Sequence, residues 1–299
     1  MSPTARPAVT IVVPFVGSAP ELAALARRFA SVRRTAADEL VVLDNSPTAA
    51  GEADTPGVRV LHDAALASPG YARNAGAGES GGDWLVFCDD DTEPEPDLLE
   101  RYFDPPPAER TAILAGAVVD APRGETLAAR LARETETMSQ RQTLSNPYRP
   151  FAITANCAFR ADVFRAVGGF DSTIFLGEDA DLCWRIQAAG YAIEERPRAV
   201  VRHYSRVTMA ALWRQRMRHG AGADWLRRRY PGAMPRWGLA ALVRDSALRL
   251  WSGARAAAKG ERGRLALEAA TVSGWWAFEL GRRTSNSSQP SRVSGWIRR

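Results

Sequence analysis

Short apolar runs alternate with segments of helical periodicity through the first third of the chain. Apolar, largely β-branched runs of strand length occupy residues 8–15, 39–45, 57–63 and 84–88, and helical spacing separates them at 21–29 and around 70–79. Strands of a parallel sheet are buried on both faces, and parallel neighbours need a crossover helix between them. The pattern predicts a parallel sheet covered by helices on both faces.

The pattern changes after residue 95. We predict helices near 96–103, within 127–138, at 161–170 and at 178–190 after Gly177, with strands at 112–119, within 151–160 and at 199–201. From residue 207 onward only helical patterns remain, followed by a Ser-, Asn- and Pro-rich tail. These features predict an α/β domain over 1–206, in two parts that meet near 119, and a helical region over 207–299 with a flexible tail from about 284.

One glycine motif, "GAGESG" at 76–81, satisfies the GxGxxG fingerprint of dinucleotide-binding proteins. That fingerprint needs a strand before it and a helix that opens on it, because the helix N-terminus supplies N–H groups to the phosphates. Here the predicted helix comes first and the strand follows. We therefore interpret the motif as a glycine-rich turn from helix to strand, and an NAD enzyme is the minor hypothesis.

Charge is distributed unevenly along the 299 residues. The net charge is +5, yet residues 201–299 hold 20 of the 39 Lys and Arg residues and only 5 of the 34 Asp and Glu residues. Seven of the nine Trp residues also lie there. An acidic front and a basic, Trp-rich end indicate two different roles.

Cysteine usage and hydropathy bear on the cellular compartment. Cys88, Cys157 and Cys183 have no paired spacing and lie in apolar segments, which is typical of reduced core residues. The first 20 residues lack the pattern of a signal peptide, and no stretch of 18 apolar residues is free of charge. These features predict a cytoplasmic protein without a membrane span.

Acidic residues follow two of the predicted buried strands. Asp44 ends the strand at 39–45, and Asp89, Asp90 and Asp91 follow the strand at 84–88. Ligands of open α/β sheets bind beyond the carboxyl ends of the strands. Three adjacent carboxylates repel each other unless a cation or donor groups lie between them, so we expect positive charge at this point.

Seven motifs in this order resemble those of glycosyltransferases of family 2, which have the GT-A fold. They are "VTIVVPF", "VVLDNS", "GYARNAG", "WLVFCDDDTEP", "ANCAFRADVFRAVGGFD", "FLGEDADLCWRIQAAGY" and "VRHYS", and they cover about residues 8–205. The resemblance implies a GT-A type, Rossmann-like nucleotide-binding sheet in residues 1–119 and an acceptor-binding part in 120–206. It also implies inverting, hexosyltransferase-like transfer from a nucleotide-diphosphate sugar with Mn²⁺ or Mg²⁺.

The DxD motif of that family corresponds to Asp89 to Asp91. By resemblance Asp91 binds the metal, Asp89 holds the ribose or assists the metal, and Asp90 lies at the substrate with a mostly structural role. His203 would complete the metal shell, since carboxylate oxygens with an imidazole suit Mn²⁺. The alternatives are an acidic turn after a strand and a structural histidine.

The same resemblance assigns the nucleotide contacts. Asp44 would accept a hydrogen bond from the base, and its alternative role is an Asx turn with Asn45 and Ser46. Arg73 and Asn74 match the pair that contacts the base and diphosphate, but on a generic helix they would form a solvated face. Pro14 and Phe15 line the same rim, although "FVG" after Pro14 departs from the more polar family pattern.

Glu178 and Asp179 form the second acidic feature. Inversion by direct displacement needs a base that takes the proton of the acceptor hydroxyl. By resemblance Asp179 is that base and Glu178 orients donor or acceptor, although Asp and Glu are also ordinary residues at a helix N-terminus, where the dipole favours their charge. Asn156 and Trp184 lie in the same motifs and are assigned to substrate binding.

The helical region opens with an incomplete family signature. "WRQRMRHG" at 213–220 retains Gln215 and Arg218 of a QxxRW motif but has His219 where Trp belongs. In polymerising members that Trp stacks on the acceptor sugar, so its absence indicates transfer of single sugars. Arg218 or Arg216 would reach the diphosphate, or both would simply belong to a basic helix face.

Arginine interleaved with tryptophan in 207–299 fits three interpretations: peripheral contact with the inner face of a membrane, a packed helical subdomain, or a homodimer interface. No recognition motif supports nucleic-acid binding.

The predicted partners are a nucleotide-diphosphate sugar, with UDP expected first and dTDP or GDP as alternatives, and a glycan, lipid-linked or small-molecule acceptor. The rival functions are a sugar-phosphate nucleotidyltransferase, which would need a Gly-rich phosphate loop after the first strand, and a non-catalytic nucleotide-sugar-binding protein.

Overall fold

The computed structural model describes residues 6–52, 54–121, 124–135, 138–204 and 208–290. The chain forms two compact units. The first comprises residues 1–119, 138–203 and 287–299, and the second comprises residues 120–137 and 204–286. The division differs from a single boundary near 206, because the helical segment after residue 120 belongs to the second unit and the chain returns to the first at 287.

In chain order the first unit contains the following elements: β1 (Val9–Phe15), α1 (Ala19–Ala30), β2 (Glu39–Asp44), β3 (Arg59–His62), β4 (Leu66–Ala67), α2 (Pro69–Gly78), β5 (Trp84–Cys88), β6 (Thr92–Pro94), α3 (Leu98–Phe103) and β7 (Thr111–Asp120). After α4 (Leu127–Thr135), which lies in the second unit, it continues with α5 (Gln140–Leu144), β8 (Asn156–Arg160), α6 (Ala161–Ala166), α7 (Glu178–Ala188) and β9 (Ala192–His203).

Eight of these strands form one sheet in the order β3-β2-β1-β5-β8-β7-β9-β6. The pairs β3–β2, β2–β1 and β1–β5 are parallel, as predicted. Parallel pairing was predicted only for the strands up to residue 88. Beyond β5 the sheet contains antiparallel pairs, since β8 pairs antiparallel with both β5 and β7, and β6 with β9. The parallel half brings the carboxyl ends of β2, β1 and β5 to one edge.

The first glycine of the GxGxxG sequence, Gly76, and Gly82, which follows the motif, serve packing. Helix α2 ends at Gly78 and β5 begins at Trp84, so the motif is a helix-to-strand turn, as predicted. A Cβ at Gly76 would lie 2.6 Å from Val12 Cγ1, and one at Gly82 would lie 2.6 Å from the backbone nitrogen of Thr10. Only glycine allows α2 and the turn to approach β1 this closely.

Two apolar clusters cover the two faces of the sheet. One includes Val9, Ile11 and Val13 of β1 with Phe29 of α1, and the other includes Phe87 and Phe159. Alternate residues of a strand point to opposite faces, so the apolar runs place side chains in both clusters. Cys88, Cys157 and Cys183 are free and buried in this core, as expected from the sequence.

The segment after Asn286 contacts the first unit. The backbone N–H of Ser288 donates to the carbonyl of Thr173, and β10 (Gln289–Pro290) pairs antiparallel with β4. The predicted flexible tail from about 284 therefore includes hydrogen-bonded residues up to Pro290, and its remainder lies outside the described residues.

The second unit consists of α4 together with α8 (Met209–Arg229), α9 (Leu239–Ala258) and α10 (Arg264–Gly281), in agreement with the helical patterns of the sequence. Leu131 of α4, Leu212 of α8 and Leu267 of α10 form its apolar core. Within the described part of the chain, no helix combines the length and apolar character needed to cross a membrane.

Candidate functional site

The site lies where β5 ends. Strand β5 is buried along its whole length, so the position of Asp89, the next residue, is fixed by the centre of the sheet. The turn that follows is closed by the N–H and the hydroxyl of Thr92, which both donate to the Asp89 carbonyl. Arg28 of α1 donates to the Asp90 carbonyl at 2.6 Å. Three adjacent carboxylates are thereby held on a rigid backbone.

Arg73 of α2 supplies the positive charge expected beside these carboxylates. Its Nη2 donates to Asp89 Oδ1 at 2.7 Å, and its Nη1 donates to Glu178 Oε1 at 2.8 Å. The Arg73 side chain is nearly fully buried, with Phe170 beneath the guanidinium at 5.6 Å from the ring centroid. We call this arrangement the Asp89–Arg73–Glu178 bridge. It joins the turn after β5 to the first residue of α7.

Burial and mutual attraction set the charges of the bridge. Burial opposes the charge of Arg73, but Asp89 and Glu178 outweigh it and raise the pKa of the guanidinium. Burial raises the pKa of Glu178, whereas Arg73 acts to lower it. Glu178 Oε2 is buried without a hydrogen-bond partner, so the ionised carboxylate loses its hydration there and the pKa rises. Arg73 therefore carries its charge permanently between two carboxyl groups.

Asp179 is the neighbour of the bridge on α7. Gly177 caps the helix in the left-handed conformation, at φ 92°, and turns the chain so that Glu178 and Asp179 open its first turn. Burial raises the pKa of Asp179 to about 7, and the adjacent Glu178 carboxylate adds to this effect. A carboxyl group with a pKa near neutrality can exchange a proton at the pH of the cell.

Asp91 and His203 face each other across the β6–β9 pair. The registered partner of His203 is Thr92, the residue after Asp91, and His203 Nε2 lies 3.7 Å from Asp91 Oδ2. Two ligand atoms at this separation can share a cation, since bonds to such ions are about 2.1 Å long. Among the described residues no three His, Cys, Asp or Glu side chains form a metal-binding group. Asp91 and His203 fit a metal that takes its other ligands from water or substrate.

The residues predicted for nucleotide binding have defined protein partners. Asp44 is fully buried, and its two carboxyl oxygens accept the N–H groups of Ser46 and Ala50 at 3.0 and 2.6 Å. The Asx turn given as its alternative role is thus present, and a base contact would use the remaining acceptor capacity. Asn74 binds the backbone of Phe170 through both its amide nitrogen and its carbonyl oxygen. Its base or diphosphate contact stays a prediction.

Two of the predicted substrate-binding residues lie in the interior. Asn156 is fully buried; it donates to the carbonyls of Ala117 and Ala199 and accepts from the Tyr102 hydroxyl. The indole of Trp184 is also buried, and its N–H donates to the Arg149 carbonyl. Both side chains make these contacts in the interior, and their assignment to substrate binding stays a prediction.

The remaining predicted positions are distributed over both units. Pro14 is partly exposed at the end of β1, whereas Phe15 is buried. Arg218 lies on α8, in the second unit, and its role stays a prediction. The sequence analysis did not identify Arg28 as a residue near the site. Its only local signal is that it is one of the basic residues in the last turn of α1. The sequence analysis also missed the link from Arg73 to Glu178, which are 105 positions apart.

The sequence profile of glycosyl transferase family group 2 matches residues 84–278. Two curated relatives, the pre-mycofactocin glycosyltransferases of Mycobacterium tuberculosis strains CDC 1551 and H37Rv, are each 29% identical over 236 residues. These alignments cover 75% of this chain and 48% of each relative. The chain thus spans about half the length of the curated relatives it matches.

A solved structure has a similar fold. It is the mannosyltransferase PcManGT from Pyrobaculum calidifontis in complex with GDP-Man and Mn²⁺, with a TM-score of 0.60 and 18% sequence identity. The match covers 94% of this chain and 89% of that one. At this identity the likeness concerns the fold, and it confirms the GT-A type α/β architecture predicted from the sequence.

Proposed function

The chain belongs to the glycosyltransferases of family 2, and we propose that it moves a single hexose from a nucleotide-diphosphate sugar to a hydroxyl group of an acceptor. In this proposal the transfer inverts the anomeric centre and depends on a divalent cation. The observation that carries it is the Asp89–Arg73–Glu178 bridge, because it joins the turn of the DxD motif to the helix turn that presents Asp179.

Asp179 is the proposed catalytic base. Direct displacement at the anomeric carbon requires that the attacking hydroxyl lose its proton as the new bond forms. A carboxylate with an ordinary pKa near 4 is a weak acceptor for that proton, whereas a pKa of about 7 makes Asp179 a stronger base that is still substantially ionised at neutral pH. Glu178, fixed by Arg73, orients Asp179 through the shared first turn of α7.

The donor side of the proposed site is formed by the turn after β5. Asp91 and His203 are the residues that would hold Mn²⁺ or Mg²⁺, with Asp89 directed at the ribose or assisting. A bound divalent cation would neutralise the charge that accumulates on the departing nucleoside diphosphate. Asp89 keeps part of its side chain exposed while Arg73 holds one of its oxygens, so the other can accept a donor hydroxyl.

The proposal also includes an order in which donors should be tested and a set of acceptor classes. A uridine nucleotide is the first donor to test, followed by thymidine and guanosine nucleotides. The guanosine donor has support from the complex of the fold neighbour with GDP-Man and Mn²⁺. The curated relatives are named pre-mycofactocin glycosyltransferases, so pre-mycofactocin is an acceptor to test beside the glycan, lipid-linked and small-molecule classes. The incomplete QxxRW sequence supports one transfer per acceptor.

A panel of nucleotide sugars tests this function. Each UDP-, dTDP- and GDP-sugar would be incubated with the protein, with and without Mn²⁺, and release of nucleoside diphosphate would be measured together with the thermal unfolding midpoint. We expect one donor to raise the midpoint and to be hydrolysed slowly, both only with metal. Release of pyrophosphate from a nucleoside triphosphate and a sugar phosphate would favour a nucleotidyltransferase. Donor binding without turnover for any acceptor class would favour a binding protein.

A further inference from the structure

Helix α9 of the second unit presents a wide apolar face to solvent. Leu239 is 68% exposed, Trp251 59% and Val243 50%. Soluble proteins rarely leave large apolar side chains exposed side by side, and such faces usually mark an interaction surface. The face is not explained by the proposed transferase chemistry.

The spacing along α9 shows that these residues form one surface. At 100° per residue, eight exposed, uncharged positions and the half-buried Ala257 fall within an arc of about 120°. The eight exposed positions form the face. They are Leu239, Ala240, Val243, Ala247, Leu250, Trp251, Ala254 and Ala258. The buried residues of α9, Leu242, Ser246 and Gly253, lie beside one edge of this arc. We call the exposed arc the α9 apolar face.

Helix α10 extends the α9 apolar face. Trp276 is partly exposed, and its indole N–H donates to Ser246 Oγ at 3.2 Å. Ser246 is three residues after Val243 and four before Leu250, so Trp276 reaches the edge of the face. An apolar ring with a polar N–H is the kind of side chain that favours the boundary between water and hydrocarbon.

Arginines line the other edge of the α9 apolar face. Arg244 and Arg255 follow the apolar arc on the helix surface, and the Arg255 guanidinium lies over the Trp251 ring at 4.6 Å from its centroid. An arginine in this position places its stem along apolar surface and its charge at the rim. The only acidic residue of α9, Asp245, accepts a hydrogen bond from Arg244.

The wider charge of the unit points in the same direction. Residues 209–283 hold 15 Arg and Lys residues and 5 Asp and Glu residues. Four of those acids already form ion pairs within the unit: Asp224 with Arg236, Asp245 with Arg244, Glu268 with Arg249, and Glu279 with Arg282. Residues 209–283, which include α9, therefore carry an excess of ten basic residues over acidic ones.

We propose that the α9 apolar face docks on the surface of an anionic lipid bilayer. An apolar helix face of this width enters the boundary between headgroups and acyl chains to a depth of about 5–10 Å, and a basic rim gains from anionic headgroups. A second copy of the chain is the less favourable occupant, because pairing through this face would bring two arginine rims together. The proposal is independent of the proposed transferase function.

Vesicle flotation of the 299-residue chain tests the docking. Vesicles of phosphatidylcholine alone are compared with vesicles that also contain phosphatidylglycerol. We expect the protein to float with the anionic vesicles, to bind neutral ones weakly, and to be released in part by salt, which screens the headgroup charge. Replacing Arg244 and Arg255 with Gln should weaken binding about fivefold for each arginine. Arg33→Gln, at an exposed arginine of the first unit, is the charge control.

The contribution of the apolar side chains is tested with the double variant Val243→Gln/Trp251→Gln. Val119→Gln is the control, because Val119 of β7 is as exposed as Val243, at 50%. We expect the double variant to bind anionic vesicles on the order of tenfold more weakly, with its unfolding midpoint unchanged. If that variant unfolds early, Leu239→Gln replaces it. Absence of flotation, or equal flotation of the double variant and Val119→Gln, would overturn the proposal. The proposal would also be overturned if the protein does not bind vesicles but self-associates, and if Trp251→Gln abolishes that self-association.

Discussion

Arg73 and Glu178 lie 105 positions apart in the chain, yet the guanidinium of one donates to the carboxylate of the other at 2.8 Å in the interior of the first unit. The same guanidinium donates to Asp89 at 2.7 Å. One arginine thus joins the proposed donor side and the proposed base side of the site. Its position makes Arg73 a positioning residue in addition to a residue of the family motif.

Removing Arg73 should damage stability and turnover together. The variant Arg73→Met leaves two carboxylates without their buried partner, which costs about 3–5 kcal/mol of unfolding free energy. Urea unfolding measures this loss. Arg33→Met, which removes an ion pair between exposed side chains, is the matched control and should cost less than about 1 kcal/mol. Equal effects of the two substitutions would contradict the structural role of the Asp89–Arg73–Glu178 bridge.

The pH dependence of turnover should report Asp179. Because the base is needed in its ionised form, activity is present above the pKa of Asp179 and is lost as the pH falls through about 7. An ordinary aspartate would sustain activity down to about pH 4. The rate constant kcat, measured at saturating donor and acceptor across this range, gives the midpoint. A profile that stays flat down to pH 5 would exclude Asp179 as the base.

The metal requirement should depend on His203. If His203 and Asp91 share the cation, His203→Ala removes one ligand and raises the metal concentration needed for half-maximal activity by about 10-fold or more. Arg202→Ala, on the same strand, removes an exposed ion pair with Glu95 and should leave that concentration unchanged. Titration of Mn²⁺ into both variants distinguishes a ligand from a structural histidine, since only loss of a ligand shifts the metal dependence.

Two glycines should be essential for the packing of α8 on α10. A Cβ at Gly220 would lie 1.9 Å from the Phe278 carbonyl oxygen, and one at Gly281 would lie 1.9 Å from that of Met217. Gly220→Ala therefore forces the helix backbones apart and should cost at least about 1–3 kcal/mol. At Gly274 of α10 the nearest atom is 3.9 Å from the added Cβ, so Gly274→Ala should be neutral or stabilise by up to about 1 kcal/mol. Denaturant unfolding followed by tryptophan fluorescence compares the two.

The parallel half of the sheet could be predicted because each strand there is a continuous apolar run. Strand β5 and helix α7, with its start after Gly177, carry local signals that the fold preserves. Strand β6 could not be predicted, because three residues of mixed polarity have no strand pattern. The first half of β9 is also polar, and only Ala199 to Val201 showed a strand signal. The directions of the strands after β5 were also hidden, since the regular alternation of strand and helix stops there and an apolar run alone is the same in parallel and antiparallel pairs.

The sequence proposes the site as a set of residues and says little about the contacts between them. The family motifs name Asp89, Asp91, Asp179 and His203, but no local pattern shows that Arg73 lies between two carboxylates. Asn156 illustrates the opposite case. A polar residue within a motif is assigned to substrate by resemblance, while in the fold its amide donates to the buried carbonyls of Ala117 in β7 and Ala199 in β9. Contacts between residues distant in the chain arise only when the sheet is assembled.

We propose that one carboxylate, Asp91, is needed for donor binding and that another, Asp179, removes the proton of the acceptor. The most direct test measures both in the same two variants, with donor affinity obtained by calorimetry in Mn²⁺ and turnover obtained by product release. We predict that Asp179→Asn binds the donor as the unmodified protein does and loses at least about 100-fold in kcat. Asp91→Ala should instead lose donor binding and its response to metal. Near-normal turnover in Asp179→Asn, or unchanged donor affinity in Asp91→Ala, would contradict this division of roles.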